Sequence, residues 1–310
     1  MSDVNYTIRT YRHSDFTSYV QLHIDAERAD KAGCYTSPRS LNEKLDRPGF
    51  HPENNLFVAE TEGAIAGSLD IVVELGIGRV VANCLVHPQH RRRGLATRLL
   101  REAEQRASEM EARVVQGSIA EGNVAAKNLL SGLSFNYVHR FLELSLDISE
   151  AHWVAATQVS YRCRHLQRGE EPSLAEIQNR CFMDTWGYHP NTVEEITYRV
   201  GMSDCCHEGI FMVCESEQPV GYCWTIVGAG ENVAPGARKG RIHMLAVARE
   251  YRGKGLGKSV LQAGLSYLAS REIGTVELSV DAGNREAMAL YESFGFRVQS
   301  ATDWYEKALV

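Results

Sequence analysis

The amino-acid sequence predicts a mixed α/β protein made of two similar domains in tandem, each with a β-sheet flanked by helices. Three observations lead to this prediction. The chain has 310 residues, about two domains' worth. The segment from Arg252 to Phe296 repeats the segment from Arg91 to Phe135 without a gap, with twelve identities where average composition gives about three. Both copies run strand, glycine-containing loop, helix, strand and helix, the order of a βαβα unit.

The repeat matches at residues that shape a backbone rather than at random surface positions. Its main identities are glycines, one asparagine and apolar helix positions: Arg91/Arg252, Gly94/Gly255, Leu95/Leu256, Gly122/Gly283, Asn123/Asn284, Ala126/Ala287, Leu129/Leu290 and Phe135/Phe296. The period is too long for a solenoid, so each copy is predicted to be a complete domain. We place the domains at residues 1–149 and 150–310.

Apolar periodicity predicts the elements of each copy in order. In the first copy we expect a strand near the start, a helix over 15–29, strands over 56–61, 64–73 and 79–86, a helix over 96–109, a strand over 113–119, a helix over 124–132 and an alternating closing strand over 141–148. In the second copy we expect a first strand near 158–166, a helix over 173–181, strands over 210–215, 219–227 and 241–247, a helix over 258–271, a strand over 275–280 and a helix over 285–294.

Composition excludes several classes of protein. A net charge of −6 argues against a nucleic-acid binder, which needs a broad basic face. No stretch approaches the length of a transmembrane span, so we expect no membrane association. The first residues have no basic segment followed by an apolar core. The eight cysteines form no CxxC pair and no Cys/His cluster, and the adjacent Cys205 and Cys206 are interpreted as two residues of a loop. We therefore expect a cytoplasmic protein with reduced thiols and no metal.

The most informative segment is the loop Arg252-Gly253-Lys254-Gly255-Leu256-Gly257 between a strand and a helix. Glycines let backbone N–H groups converge on one point, and the following helix adds its positive N-terminus, which suits a phosphate. A tight turn with solvated basic residues is the alternative. Neither the P-loop pattern nor the dinucleotide fingerprint fits the glycine spacing.

The pattern that does fit is [QR]xxGx[GA], present over 252–257 and again over 91–96. A strand ending HMLAV precedes the second loop, and Asn284, Ala287, Leu290, Tyr291, Gly295 and Phe296 follow in the register Asn-x-x-Ala-x-x-Leu-Tyr-x-x-x-Gly-Phe. On these residues the chain resembles the GNAT superfamily of acyl-CoA N-acyltransferases. Its tandem layout and length are similar to those of the mycothiol synthase group.

The resemblance implies mostly antiparallel, partly splayed sheets and direct transfer of an acetyl group from acetyl-CoA to a small primary amine. It implies that the second copy holds the pyrophosphate through Arg252, Gly253, Lys254, Gly255, Leu256, Gly257 and Lys258, the pantetheine arm through Leu245, Ala246 and Val247, and the cofactor again through Asn284. The corresponding residues of the first copy are Val86, Arg91, Arg92, Arg93, Gly94, Ala96 and Asn123. A module that binds acyl-CoA without turnover is the alternative function.

For the chemistry, the resemblance makes Tyr291 the acid that protonates the departing thiolate, with a packed aromatic as the alternative. The general base is predicted to be His243, because it lies two residues after Arg241 on the same face of the strand, and because an ordinary imidazole has a pKa near 6.5. A structural histidine, a water relay, Glu231 and Glu277 are the alternatives. Two positions depart from the mycothiol synthase group: Arg241 stands where that group has Glu, and the strand Trp224–Ile226 lacks its lysine.

The first copy is predicted to be non-catalytic, because Leu130 falls where the second copy has Tyr291 and Ser134 falls where it has Gly295. A regulatory acyl-CoA site is the alternative. The aromatic segment Met183–Thr192 is predicted to face the acceptor, and the segment Tyr35–Pro52 is its counterpart. We expect a monomer with an internal pseudo-dimer, with a homodimer as the alternative.

Overall fold

The computed structural model describes residues 5–30, 36–153, 161–228 and 238–309. The chain forms two compact units. The N-terminal unit comprises Met1–His139 and Thr302–Val310, and the C-terminal unit comprises Arg140–Ala301. The predicted boundary between residues 149 and 150 divides the two sequence repeats and stays a prediction. It differs from the division into compact units because the two repeats exchange their last strands.

The helices and strands follow the predicted order. The first part of the chain contains β1 (Thr7–Thr10), α1 (Phe16–Asp30), α2 (Pro38–Leu45), α3 (Pro52–Asn55), β2 (Leu56–Thr61), β3 (Ala64–Glu74), β4 (Arg79–Val86), α4 (Leu95–Glu109), β5 (Val114–Ala120), α5 (Val124–Gly132) and β6 (Asn136–Asp147). The second part contains β7 (Arg162–His165), α6 (Glu171–Phe182), α7 (Val193–Val200), β8 (Ile210–Glu215), β9 (Gln218–Val227), β10 (Arg238–Val247), α8 (Leu256–Ser270), β11 (Ile273–Asp281), α9 (Arg285–Ser293) and β12 (Arg297–Ala308).

The described sheet of the N-terminal unit has the order β1-β2-β3-β4-β5-β12. Only β4 and β5 are parallel neighbours, and the other described pairs are antiparallel. Val58 and Ala59 are adjacent on β2 and so point to opposite faces. Val58 packs with apolar residues of α1 and α2, whereas Ala59 packs with the apolar stripe of α4. Helices therefore cover both faces of this sheet.

The described sheet of the C-terminal unit has the order β6-β11-β10-β9-β8-β7, with only β10 and β11 parallel among the described pairs. Helix α8 packs on one face, and helices α6 and α7 pack on the other. The approach of α8 to β9 requires a glycine, because a Cβ at Gly264 would lie 2.7 Å from Cys223 Sγ. This close contact fixes the height of α8, and with it the position of the loop that precedes the helix.

The last strand of each sequence repeat completes the sheet of the other unit. Strand β6 follows the first repeat, yet its residues Phe141–Asp147 pair antiparallel with β11. Strand β12 follows the second repeat, yet its residues Thr302–Ala308 pair antiparallel with β5. The predicted closing strand over 141–148 is confirmed as a strand, but its partner lies in the second repeat rather than in the first.

Both sheets are splayed at their parallel pair. The pairing of β10 with β11 ends at Arg241 and Glu277, while β10 stays paired with β9 as far as Val247. In the N-terminal unit the pairing of β4 with β5 ends at Val81 and Gln116, while β4 stays paired with β3 as far as Val86. The predicted fold class, two tandem α/β domains with mixed, mostly antiparallel and partly splayed sheets, is confirmed.

The main differences from the predicted elements are additional helices and the strand β12, which no predicted element covers. Helix α2 lies in the segment predicted as a counterpart of the acceptor loop, and helices α3 and α7 were not predicted. The start of the first strand predicted for the second copy lies outside the described residues, and β7 covers the part that is described. None of the described helices is both long and apolar enough to cross a membrane.

Candidate active site

The splay of the C-terminal sheet frees one edge of β10. Leu245, Ala246 and Val247 pair with β9 on one side, opposite Cys223, Tyr222 and Gly221. On the other side their ladder with β11 has already ended, at Arg241. An extended amide-containing molecule can therefore add to this edge as a further strand, the mode predicted for the pantetheine arm.

The loop after β10 has a backbone suited to an anion. Gly253 and Gly255 have φ values of +76° and +81°, in the left-handed region that favours glycine. Gly255 is also the residue before α8, which begins at Leu256. The first N–H groups of a helix have no partner within it, and the helix dipole makes this end positive. Gly257 lies in that first turn, where a Cβ would be 3.4 Å from Leu290.

The cationic side chains of this loop are arranged differently from one another. Arg252 is exposed, and its Nε donates to the carbonyl oxygen of Val247 at 3.1 Å. Lys254 folds back over Tyr251, with Nζ 4.7 Å from the ring centroid and 3.4 Å from the hydroxyl of Tyr161. Lys258 is exposed on the first turn of α8. Arg252 thus shapes the turn, while Lys258 is an exposed cation on the first turn of the helix.

Helix α9 carries the predicted acid. Tyr291 is 6% exposed, and its ring packs edge-on against Phe296 at 5.8 Å. Burial, aided by the nearby thiol of Cys223, raises the pKa of this phenol above its usual value. At neutral pH the hydroxyl therefore keeps its proton. Asn284 caps the same helix, since its Oδ1 accepts from the N–H of Ala287 at 3.0 Å.

The predicted base lies at an irregularity of β10. The register with β9 shifts between Ile242 and Met244, so His243 is the extra residue of a β-bulge. Its ring stands edge-on to Trp224 at 5.3 Å, and its Nε2 is buried without a partner among the described residues. Burial, with Arg199 and Arg241 as further causes, holds the pKa of His243 well below 6.5. The imidazole is therefore neutral, the form that accepts a proton.

A polar network crosses the sheet face beside this histidine. Arg241 Nη2 lies 3.3 Å from Glu143 Oε2 and donates to Ser279 Oγ, and the serine hydroxyl donates to Glu143 Oε1 at 2.6 Å. Lys239 pairs with Glu277 at 2.6 Å. Arg241 is 39% exposed and Glu143 is 29% exposed, so this face is open to solvent. The face offers carboxylates, cations and a hydroxyl to an acceptor.

Sequence reasoning missed Glu143 and Ser279. Glu143 lies on β6, the strand that follows the first repeat, and the repeat therefore assigned it to the other domain. Its pairing with β11, opposite Ser279, brings it here. The alternation of β6 indicated a strand but not its partner. Of the alternative bases, Glu277 lies on this face, whereas Glu231 lies outside the described residues.

The aromatic segment after α6 lies near the same strand. Trp186 has its ring centroid 6.1 Å from that of Phe141 on β6. Asn179 of α6 fastens the segment, because its Nδ2 donates to the carbonyl oxygen of Asn191 at 2.9 Å and its Oδ1 accepts from the hydroxyl of Tyr188 at 2.7 Å. The segment is thus an anchored loop beside the polar network, and its role toward the acceptor stays a prediction.

The N-terminal unit has a loop of the same shape with different side chains and partners. Arg91 Nε donates to the carbonyl oxygen of Val86 at 3.1 Å, and its guanidinium also pairs with Asp30 at 2.7 Å. Arg92 has a φ of +63°, at the position of Gly253, and Gly94 has a φ of +74°. Arg93 is exposed, Ala96 lies in the first turn of α4, and Asn123 caps α5 by accepting from Ala126 N–H at 3.1 Å. The loop shape survives without the glycine.

The side chains of the N-terminal unit nevertheless differ from those of the C-terminal unit at equivalent positions. Leu130, 4% exposed, occupies the place of Tyr291. The face that is open in the C-terminal unit is filled here by Arg79 and Gln116, 7% and 5% exposed. Arg79 hydrogen-bonds to Glu74 and to Gln116, and Gln116 in turn donates to Glu306 at 2.7 Å. These side chains therefore form a buried, hydrogen-bonded network on this face.

Comparison with known proteins finds one family in both halves of the chain. The model of the acetyltransferase (GNAT) family matches residues 17–135 and 172–296. A mycothiol acetyltransferase of Amycolatopsis mediterranei is 28% identical over 261 residues, covering 80% of this chain and 83% of that protein.

Two solved structures share the fold. A GCN5-related N-acetyltransferase from Sphaerobacter thermophilus has a TM-score of 0.76 at 22% identity, covering 98% of this chain and 96% of that one. A tandem GNAT protein from the clavulanic acid biosynthesis pathway has a TM-score of 0.76 at 18% identity, covering 99% of both chains. The tandem arrangement expected from the repeat is therefore found in a solved structure of the same extent.

Proposed function

This chain belongs to the acetyltransferase (GNAT) family as an acetyl-CoA-dependent N-acetyltransferase, and we propose that its C-terminal unit transfers the acetyl group to a primary amine of a small molecule. The observation that carries the proposal is the difference between equivalent positions of the two units. The C-terminal unit combines Tyr291 with an open polar face, whereas the N-terminal unit combines Leu130 with a closed one. Only the first combination offers both a proton donor and space for an acceptor.

The C-terminal unit has a surface that fits acetyl-CoA. The free edge of β10 at Leu245–Val247 would pair with the amides of the pantetheine arm. The N–H groups of the loop and of the first turn of α8, with Lys258, would hold the pyrophosphate. Asn284 has its Oδ1 engaged in capping α9, which leaves its Nδ2 to donate to the cofactor. Acetyl-CoA supplies the thioester, and the residues of this chain supply binding and proton transfer.

Two proton transfers are needed, and one residue is assigned to each. An amine attacks only after it has lost a proton, and the neutral imidazole of His243 would take that proton. Tyr291 would donate its phenolic proton to the departing thiolate sulfur. Burial favours neutral forms for both partners of that second transfer, since it raises the pKa of a thiol as it raises that of a phenol. Backbone N–H groups of the free β10 edge would polarise the thioester carbonyl.

The acceptor is proposed only as a small polar amine. The relative named a mycothiol acetyltransferase supports a small molecule rather than a protein acceptor. Arg241, however, replaces the Glu of the mycothiol synthase group and is paired with Glu143. This pair changes the charge at the very face on which an acceptor would lie, so the acceptor named for the relative is not carried over.

An amine panel tests the proposal. The full-length protein is incubated with acetyl-CoA and primary amines of varied size and charge, while free thiol and acetylated product are both measured. We expect thiol release that depends on at least one amine, with one acetylated product per thiol. Tight binding of acetyl-CoA without thiol release across the panel would favour a sensor. If turnover survives disruption of the C-terminal loop but is lost on disruption of the N-terminal loop, the chemistry belongs to the N-terminal unit and the proposal is wrong.

A further inference from the structure

A cluster of polar side chains lies on the face of the N-terminal sheet that α1 covers, and it has no part in the chemistry proposed above. We call it the α1 cluster: Tyr11, Tyr19, His23, Arg47 and Asp70. The rings of Tyr11 and Tyr19 are 5.9 Å apart, and those of Tyr19 and His23 are 4.6 Å apart. Tyr19 also interacts electrostatically with Arg47 and Asp70. Ring contacts therefore join Tyr11, Tyr19 and His23, and Arg47 and Asp70 lie near enough to act on Tyr19 electrostatically.

Three atoms of this cluster are buried and have no hydrogen-bond partner among the described residues. They are the hydroxyl of Tyr11, Nε2 of His23 and Nη2 of Arg47. Tyr11 is only 4% exposed. Buried polar atoms in folded proteins almost always have a partner. Three such atoms in one cluster indicate a missing partner with several polar groups of its own.

The cluster also holds opposite charges that face each other without pairing. Asp70 accepts a hydrogen bond from Asn83 Nδ2 at 2.8 Å, and Arg47 stacks over the ring of Phe50 at 4.0 Å. Burial raises the pKa of Asp70, and the hydrogen bond from Asn83 and the charges of Arg47 and the exposed Lys44 act in the opposite direction. Since Nη2 of Arg47 has no described acceptor, the guanidinium and the carboxylate are held apart instead of closing on each other. A molecule that bridges them must present a cation to one and an anion to the other.

The equivalent strand position in the C-terminal unit carries apolar side chains. On the paired strands β3 and β4, Asp70 lies opposite Asn83. This pair is three residues along the ladder from the pair Gly67 and Val86. In the C-terminal unit the matching reference pair is Gly221 and Val247. Three residues along that ladder, Trp224 lies opposite Met244. There the position forms an apolar wall beside His243. The carboxylate of Asp70 is therefore a feature of the N-terminal unit that the C-terminal unit does not repeat.

We propose that the α1 cluster binds a small zwitterion of the α-amino acid class, with its ammonium group on Asp70 and its carboxylate on Arg47. The hydroxyl of Tyr11 and Nε2 of His23 provide the remaining hydrogen bonds. Burial lowers the pKa of His23 to about 4, so its ring is neutral and adds no third charge. The proposal does not depend on which unit transfers the acetyl group.

Calorimetry on the full-length protein without acetyl-CoA tests this site, with the twenty L-amino acids as probes. We expect at least one to bind, and its N-acetyl and methyl-ester derivatives, which each lack one charge, to bind at least tenfold more weakly. Asp70→Asn and Arg47→Met should each weaken binding at least tenfold, whereas Glu53→Gln, an exposed carboxylate of α3, should not. The derivatives test the charge requirement even if a variant fails to fold.

Three results would overturn the proposal. The first is no binding by any of the twenty amino acids. The second is equal binding of the methyl ester or the N-acetyl derivative, which would indicate a simple cation or anion site. The third is unchanged affinity in a folded Asp70→Asn variant, which would locate the amino acid elsewhere.

Discussion

Arg252 donates a hydrogen bond to the carbonyl oxygen of Val247, across the turn that joins β10 to the candidate phosphate loop. Arg91 and Val86 make the same bond in the N-terminal unit, also at 3.1 Å. The bond ties the last residue of the central strand to the first residue of the loop. In both units the first arginine of the motif therefore fixes the backbone that an anion would meet, whether or not it also contacts that anion.

The loop assignment predicts a specific effect of charge. Gly255→Asp should weaken acetyl-CoA binding by at least about 100-fold, because two unit charges about 4 Å apart near a protein surface repel by about 4 kcal/mol. A side chain at a φ of +81° adds about 1–2 kcal/mol of backbone strain. Calorimetric titration with acetyl-CoA measures the loss.

Two controls separate the causes of that loss. Gly255→Ala adds the strain without the charge and should cost less affinity than the aspartate. Gly94→Asp makes the matched change in the N-terminal unit and should leave turnover intact. If Gly255→Asp binds acetyl-CoA normally, the loop is only a tight turn.

The features that the sequence predicted well are local, and those it missed depend on distant pairing. Gly253 and Gly255 indicate a left-handed loop because glycine favours that backbone. Arg92 adopts the same conformation at a φ of +63° without any such signal, since the surrounding fold overrides its preference. Glu143 could not be placed, because a strand's alternation shows which residues share a face but not which strand it will pair with.

Tyr291→Phe should lower kcat by about 10²–10⁴ and leave acetyl-CoA affinity nearly unchanged. The ring fills the same space against Phe296, so only the transferable proton is lost. Steady-state kinetics and calorimetry on the same preparation test the two parts. Leu130→Ala, at the matched position of the other unit, should instead reduce the free energy of unfolding by about 2–5 kcal/mol. Normal turnover of the phenylalanine variant would mean that thiolate release needs no acid.

The buried setting of His243 predicts the pH dependence of kcat/KM. A general base works in its neutral form, and the pKa of His243 lies well below 6.5. The value of kcat/KM should therefore persist below pH 6.5 and fall only at more acidic pH. This fall is the acidic limb of the pH profile. A change of kcat/KM with pH above pH 7 would instead report the ionisation of the acceptor amine. His243→Gln should lower kcat/KM by about 10²–10⁴ and abolish the acidic limb.

Arg241→Gln provides a directional check on that assignment. Arg241 is one of the causes that lower the pKa of His243, so removing its charge should move the acidic limb toward neutral pH. Its exposure predicts a modest shift. If His243→Gln keeps both the rate and the pH profile, the histidine is structural, and Glu277 and Glu231 become the next residues to change.

The exchange of terminal strands predicts how the chain can be divided. A fragment of residues 1–149 follows the sequence repeat but lacks β12, so β5 loses its neighbour over Val114–Ala120. It also loses the ion pair of Lys127 with Asp303, whose carboxylate side chain is 3% exposed and lies 2.6 Å away.

Residues 1–139 joined by a short linker to residues 302–310 restore both features. We expect this joined chain to unfold cooperatively and the 1–149 fragment to be less stable by at least about 3 kcal/mol, because it loses the ladder of β12 with β5 and hydrogen bonds contribute about 0.5–1.5 kcal/mol each. For a domain of this size that is a difference of about 6–12 °C or more in Tm. Thermal unfolding followed by circular dichroism compares the two chains, with size-exclusion chromatography to detect aggregation through the open edge of β5. Equal Tm values would mean that β6 can replace β12 beside β5, and that the boundary of the sequence repeat is also a boundary of folding.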